Sequence, residues 1–171
     1  MKKIPLSQGF EAIVDDGDYE LVSKFKWSLV KAGGKMYARR IAYTTPKLLG
    51  RGKNIYLHRF ILKPEGNLQI DHIDGNGLNN TRANIRVCTR AENLRNRRVT
   101  PNILKGLPKG VSYFRDGLKK PWIARISTKS INQKSKHLGY FETAEEAAKA
   151  YNDAAILLYG EFAYLNERTG S

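Results

Sequence analysis

Residues 68–93, LQIDHIDGNGLNNTRANIRVCTRAEN, bring a carboxylate, a histidine and well-spaced asparagines into one short stretch. Asp71 and His72 are adjacent, and Asn84 and Asn93 follow within about two dozen residues. Such a constellation suits hydrolysis of a phosphodiester, which needs a group to take a proton from water and a charge to set against the phosphate. Adjacent residues on a strand point to opposite faces, so Asp71 and His72 can serve one site only if the strand bends or ends there.

The neighbouring residues supply that end. Asp74-Gly75 and Asn76-Gly77 are turn signals, and Ile85–Cys88 reads as the return strand of a hairpin. Thr89-Arg90-Ala91-Glu92 matches a capping box, which predicts a helix start and places Asn93 in its first turn.

This strand, loop, strand and helix resembles the ββα-metal motif of the HNH nucleases, in the variant whose last histidine is an asparagine. The resemblance rests on Asp71-His72-Ile73-Asp74-Gly75-Asn76, Asn79-Asn80, Asn84 and Asn93. It implies that Asp71 and Asn93 ligate a metal, that His72 is the general base and that Asn84 orients His72. Histidine, with a reference pKa of about 6.5, can accept a proton near neutrality. A divalent cation would stabilise charge on the phosphate and the leaving oxygen.

Under that resemblance the ligands are a carboxylate and an amide carbonyl, hard oxygen donors that suit one Mg²⁺ or Mn²⁺ better than zinc. A structural zinc site is hard to assemble from one cysteine, Cys88, and three scattered histidines, His58, His72 and His137. Cys88 sits in an apolar strand and reads as a buried core residue. His58-Arg59 resembles the His-Arg pair that often precedes the hairpin in this family. It is an accessory candidate whose other readings are packing and a phosphate contact.

Thirty Lys and Arg against sixteen Asp and Glu give a net charge of +14 over 171 residues, a field that favours polyanions. The excess is spread along the chain: residues 1–60 carry 12 basic and 5 acidic side chains, 61–100 carry 7 and 4, and 101–171 carry 11 and 7. No apolar run approaches the ~18 residues that span a bilayer, and the first ten residues lack a signal peptide's apolar stretch. A single cysteine fits a reducing compartment. The expected setting is therefore intracellular, in the host cytoplasm if the chain is phage-encoded.

Residues 96–108, NRRVTPNILKGLP, have basic residues, two prolines and a glycine without an amphipathic period, and read as a linker carrying Arg97 and Arg98. Beyond it, Gly110–Phe114, Trp122–Ser127 and Lys136–Phe141 are short strand-like runs. Thr143-Ala144-Glu145-Glu146 is a second capping box. It opens a helix whose stripe is Ala147, Ala148, Tyr151, Ala154, Ala155 and Leu158, with Gly160 as its stop. Strand alternation sends Trp122, Ala124 and Ile126 toward that helix and Ile123, Arg125 and Ser127 outward.

Residues 108–167 resemble an APETALA2-type DNA-binding domain, through KGV at 109–111, WIARI at 122–126, HLGYFETAEEAAKAYNDAA at 137–155 and YGEFAYLN at 159–166. The resemblance implies that the exposed sheet face reads DNA, with Lys109, Ser112, Phe114, Arg125, Ser135 and His137 at the reading positions. Several family arginines are replaced here by serine and phenylalanine, and a tryptophan by His137, so sequence preference does not carry over.

Toward the N-terminus, Ala12–Val14, Met36–Tyr43 and Asn54–Leu57 look like strands, Tyr19–Trp27 alternates loosely, and Asp15-Asp16-Gly17-Asp18 reads as a turn. Arg39, Arg40, Arg51 and Lys53 are expected near a DNA path.

The expectation is an α+β chain: an HNH unit with a β-rich N-terminal part over 1–97, with its ββα core at about 68–97, a basic linker over 98–107, and an APETALA2-like unit of three strands and one helix over 108–171. The corresponding function is a metal-dependent, homing-type endonuclease of phage or intron kind, acting on double-stranded DNA as a monomer and nicking one strand. The alternative is a DNA-binding regulator whose HNH unit has lost activity. An RNA-binding role has less support, because no stacking-aromatic RNA-binding pattern is present.

Overall fold

The computed structural model describes residues 1–43, 52–96, 106–127 and 135–166. Arg51, Arg97, Arg98 and most of the expected linker lie outside the described residues. The chain divides into two compact units, Met1–Asn93 and Leu94–Ser171, and mixes small sheets with a few helices. Among the described residues no helix is long and apolar enough to cross a membrane.

The first unit opens on an antiparallel pair, β1 (Lys2–Pro5) and β2 (Glu11–Val14). Helix α1 (Asp16–Val22) follows, where Asp15-Asp16-Gly17-Asp18 was expected to turn and the chain to continue as an alternating run. Asp15 takes the extended N-cap position, and Asp16 and Asp18 stand in the first turn, where acidic side chains complement the helix dipole. The same letters signal a turn or a helix start. What decides is Arg82, whose guanidinium donates to both Asp18 carboxylate oxygens at 2.8 Å, while its backbone N–H donates to the Asp15 carboxylate at 2.7 Å.

Strands β3 (Ser28–Ala32), β4 (Lys35–Ala42) and β5 (Lys53–Tyr56) form an antiparallel sheet with β4 in the centre. The chain then enters a short helix, α2 (Leu57–Leu62), absent from the sequence reading; it ends at Lys63 with a left-handed φ of 47°. Val14, Val22, Trp27, Leu57 and Ile85 join the elements in one apolar core. Arg40, expected near a DNA path, holds its guanidinium 4.1 Å from the Phe25 ring centroid and 5.5 Å from that of Phe60. A cation held over aromatic faces is a packing element, contributing about 0.5–2 kcal/mol.

The expected hairpin is present as β6 (Gln69–His72) and β7 (Ile85–Cys88), with Asp71 opposite Arg86 and His72 opposite Ile85. Helix α3 (Arg90–Arg95) starts at the expected capping box. Thr89 and Glu92 exchange bonds there: the Thr89 N–H donates to the Glu92 carboxylate at 2.7 Å, and the Glu92 N–H to the Thr89 hydroxyl at 3.3 Å.

In the second unit β8 (Val111–Tyr113), β9 (Trp122–Ser127) and β10 (Ser135–Phe141) form an antiparallel sheet with β9 central, and α4 (Ala144–Tyr159) covers one face. Thr143 caps α4 by accepting from the Glu146 N–H at 3.1 Å, while the Glu146 carboxylate accepts from the Glu142 N–H rather than from that of Thr143. Gly160 stops the helix with a φ of 53°. Ala147, Ala148, Tyr151 and Ala155 are buried, but Leu158 is exposed and leaves the expected stripe. Gly110 permits a close approach here, since a Cβ would stand 2.1 Å from the Tyr151 ring. Asn166 is clasped to its unit by two amides: its own pairs with both backbone groups of Lys109, and that of Asn152 with both backbone groups of Asn166.

Candidate active site

The loop between β6 and β7 holds its shape through its own polar side chains. The Asp74 carboxylate accepts from the Asn76 N–H at 2.8 Å, the Asn79 amide at 2.8 Å and the Asn84 amide at 2.9 Å. Burial pulls the Asp74 pKa upward, but these hydrogen bonds outweigh it and leave the group below the usual carboxylate range. The loop is also fastened to β2, with the Ile13 N–H donating to the Leu78 carbonyl and the Asn80 N–H to the Ile13 carbonyl, each at 2.8 Å. Gly77 is where the loop meets β4, since a Cβ there would lie 2.3 Å from the Met36 carbonyl oxygen and 2.5 Å from the Tyr37 ring.

Asp71 and His72 lie at the end of β6 and are 4 % and 5 % exposed. Strand alternation puts Asp71 on the same face as Gln69 and His72 on the other, and the strand stops at His72, where the Gly75 N–H closes a turn on the His72 carbonyl at 2.9 Å. Asp71 is engaged by its cross-strand neighbour: Arg86 donates from Nε at 3.0 Å and from Nη2 at 2.8 Å, both to Oδ2. Arg86 was missed in the sequence, although the hairpin register that pairs 71 with 86 would have found it.

Burial is the main influence on His72 and lowers its pKa. Hydrogen bonding to Asn80 and the carboxylates of Asp74 and Asp71 act in the opposite direction, and Lys35 lowers it further. The ring is therefore a neutral base near pH 7. Asn84, expected to orient His72, has its amide committed elsewhere: Nδ2 donates to Asp74 and to the Asn79 carbonyl, and Oδ1 accepts from the Asp74 N–H. These bonds tie Asn84 to the turn that follows the histidine, and the amide hydrogen-bonded to His72 is that of Asn80, which is fully buried.

Asn93 projects from α3, and its Nδ2 donates to Gln69 Oε1 at 2.8 Å. The amide is thus turned with its nitrogen toward Gln69, on the face of β6 that also carries Asp71. The two expected ion ligands are an acid and an amide, an oxygen set that fits a hard divalent ion. Among the described residues no group of three or more His, Cys, Asp or Glu could hold a metal, so an ion held by Asp71 and Asn93 would depend on water and phosphate for its remaining ligands.

Four rings meet beside this pair. His58 lies edge-on to His72 at 5.1 Å between centroids, stacks on Tyr56 at 5.5 Å, and meets Tyr37 at 5.7 Å; Tyr37 in turn lies 5.9 Å from His72. His58 is 9 % exposed, and burial, followed by the charges of His72 and Arg59, pushes its pKa down to about 3. Tyr37, Tyr56, His58, Arg59, Gln69 and Asn93 line an open cleft of about 240 Å³. Arg59 itself is exposed and donates to the Leu68 carbonyl at 3.1 Å. Cys88 is buried, its thiol pushed up to about 11 by burial and by Asp71, and is unsuited to nucleophilic work.

In the second unit Phe114, Arg125, Ser135 and His137 are exposed, and Arg125 pairs across the ladder with His137. Ser112 is half-buried. One expectation, the exposure of Ile123, fails. Ile123 is buried rather than outward-exposed, because β9 is the central strand and Ser112 and Tyr140 flank it. Lys109 turns its ammonium toward the Tyr164 ring, 5.0 Å from its centroid, and burial brings its pKa down to about 8.

A family profile described as HNH endonuclease matches residues 56–95, which run from Tyr56 through the hairpin to α3. An uncharacterized HNH endonuclease of Acanthamoeba polyphaga mimivirus is 33 % identical over 166 residues, covering 94 % of this chain and 76 % of the relative. That alignment is long enough to include both units.

Proposed function

As this chain belongs to the HNH endonuclease family, we propose that it is a metal-dependent DNA endonuclease in which His72 takes the proton of the attacking water and Asp71 and Asn93 hold the ion. The family implies DNA as the substrate and in general a divalent ion. The observation that carries the reading is the pair at the end of β6: a carboxylate and a neutral imidazole on successive residues, both buried, beside an open cleft. Burial keeps His72 unprotonated, so its nitrogen is available as a base at neutral pH. The divalent ion, when bound, supplies charge stabilisation at the phosphate. Arg86 pairs with Asp71, so the ligand set carries no net negative charge, and ion binding without DNA is expected to be weak.

The finer reading is a site-specific, homing-type enzyme of phage or intron kind that works as a monomer. The unit after the linker, with its APETALA2-like pattern and exposed Arg125 and His137, selects the DNA site. One motif gives one centre, which favours a nick over a double-strand break. A linker between the two units raises the effective concentration of each at DNA held by the other.

Supercoiled plasmid with Mg²⁺, with Mn²⁺ or with EDTA tests this directly. Open circles that need the ion and vanish in EDTA are the expected product. Unchanged plasmid under every condition would favour a binding protein, and linear product without an open-circle intermediate would defeat the nicking reading.

A further inference from the structure

His58 is a buried titratable group that the proposed chemistry leaves without a task. Its imidazole stacks on Tyr56 at an interplanar angle of 22° and presents an edge to His72 at 89°, while Tyr37 touches Tyr56, His58 and His72. Tyr37 comes from β4 and His58 from α2, and each sets a ring against His72; Tyr56, from the end of β5, backs both of them. The loop bearing Gly77 packs closely on Tyr37 as well.

We propose that His58, with Tyr37 and Tyr56, is a positioning residue: the three rings form an aromatic cage that holds the His72 imidazole in its working orientation. The inference rests on the reading of His72 as the base. Edge-to-face ring contacts fix orientation, because the positive edge of one ring seeks the negative face of the next. A base turned out of place loses its line to the water, and a displacement of about 1 Å can cost about 10²-fold in rate.

Two further observations separate this role from a chemical one. The His58 Nδ1 is buried and makes no hydrogen bond among the described residues, so its part does not depend on a proton passed through that atom. Its pKa of about 3 keeps the ring uncharged, and a neutral neighbour places no cation against the base. The ring's shape is then what matters, and phenylalanine supplies nearly the same shape.

The test compares His58→Ala, His58→Phe and His72→Ala in the full-length protein. Nicking kinetics and the reactivity of His72 toward diethyl pyrocarbonate, read by mass spectrometry on the peptide carrying it, are measured together. His58→Ala is expected to lower kcat about 10- to 100-fold with KM little changed, and to raise His72 modification severalfold at a temperature where the variant is folded. His58→Phe is expected to restore both to within about threefold of wild type and to raise Tm, since it removes a buried unpaired nitrogen. If His58→Phe is as inactive as His58→Ala, the nitrogen rather than the ring is required and the cage is overturned. The same holds if His58→Ala leaves kcat and His72 modification at wild-type values. A His72→Ala variant that cuts normally would instead remove the base reading, and the cage with it, whatever the His58 variants do.

Discussion

The two units place their polar side chains in opposite ways. In the first, Asp18, His58, Asp71, His72, Asn80, Thr81 and Asn84 are all buried, and among the described residues of the second no polar side chain is buried to that degree. The second unit instead exposes its candidate contacts, with Phe114 at 55 % and Tyr140 at 51 % beside Arg125 and His137. Buried donors and acceptors are fixed before a substrate arrives, which is the condition for electrostatic catalysis. An exposed array instead meets its partner at a solvated surface, where contacts to a duplex position the protein and read base edges. Changes in the first unit should therefore alter rate, and changes in the second affinity.

The largest effects should break this division most cleanly. His72→Ala and Asp71→Ala are expected to lower the cutting rate about 10²- to 10⁴-fold while DNA affinity, followed by fluorescence anisotropy, stays near wild type. Parallel loss of affinity would mean that the hairpin binds as well as cuts.

Acid offers the next contrast. Folded His58 accepts a proton only at about pH 3, whereas an unfolded histidine does so near 6.5. Between those values the unfolded chain binds more protons, so stability is full above pH 6.5 and falls as pH drops toward 3, by about 1.4 kcal/mol per unit for this one group. Its burial lies in the first unit, so that unit should melt first as pH falls. The two tryptophans report the units separately, Trp27 the first and Trp122 the second. Single-tryptophan variants followed by fluorescence between pH 7 and 4 would show it, and His58→Phe should flatten the Trp27 curve. Equal acid sensitivity at both tryptophans would count against the contrast.

Matched glycine substitutions sharpen it further. Gly77→Ala drives a methyl against the Met36 carbonyl and Tyr37, and Gly110→Ala drives one against Tyr151. Each should cost about 1–3 kcal/mol by overpacking, and Gly110→Ala more than Gly77→Ala because the Gly110 φ of 79° disfavours any residue with a Cβ, measured as Tm. Gly77→Ala should also lower kcat, by shifting a wall of the cage, while Gly110→Ala should weaken DNA binding and leave turnover on saturating DNA intact. The last contrast is at Arg125, where stability should be unchanged and only binding should move. Its change to alanine should weaken binding by about 1–3 kcal/mol at one base position if it reads a base edge, or lower the salt slope by about one if it meets a phosphate.

The parts of this molecule legible in its sequence are those whose signals are local. Thr89 with Glu92 and Thr143 with Glu146 mark helix starts within four residues, the DGNG turn joins β6 to β7, and Gly160 marks a stop. Asp71, His72, Asn84 and Asn93 were legible as a group for the same reason. Tyr37 and Tyr56 were not, because ring packing depends on tertiary contact that no spacing encodes, and Asn80 was legible as part of the motif but not as the amide bonded to His72. Helix α1 was hidden because Asp15 and Asp18 form their partnership with Arg82, more than sixty residues along the chain. Ile123 was misplaced because strand alternation gives a face but not the shelter of flanking strands.

Those distant ties impose an order on synthesis. Ile13, Asp15 and Asp18 leave the ribosome early, but the loop they fasten, with Leu78, Asn80 and Arg82, follows some sixty-five residues later. Asn93 emerges later still, as the last of the proposed ligands. A nascent fragment that stops short of Asn93 has the residues of β1, β2 and α1 but lacks one of the two proposed ligands, so under the proposed function cutting is expected only once the first unit is whole.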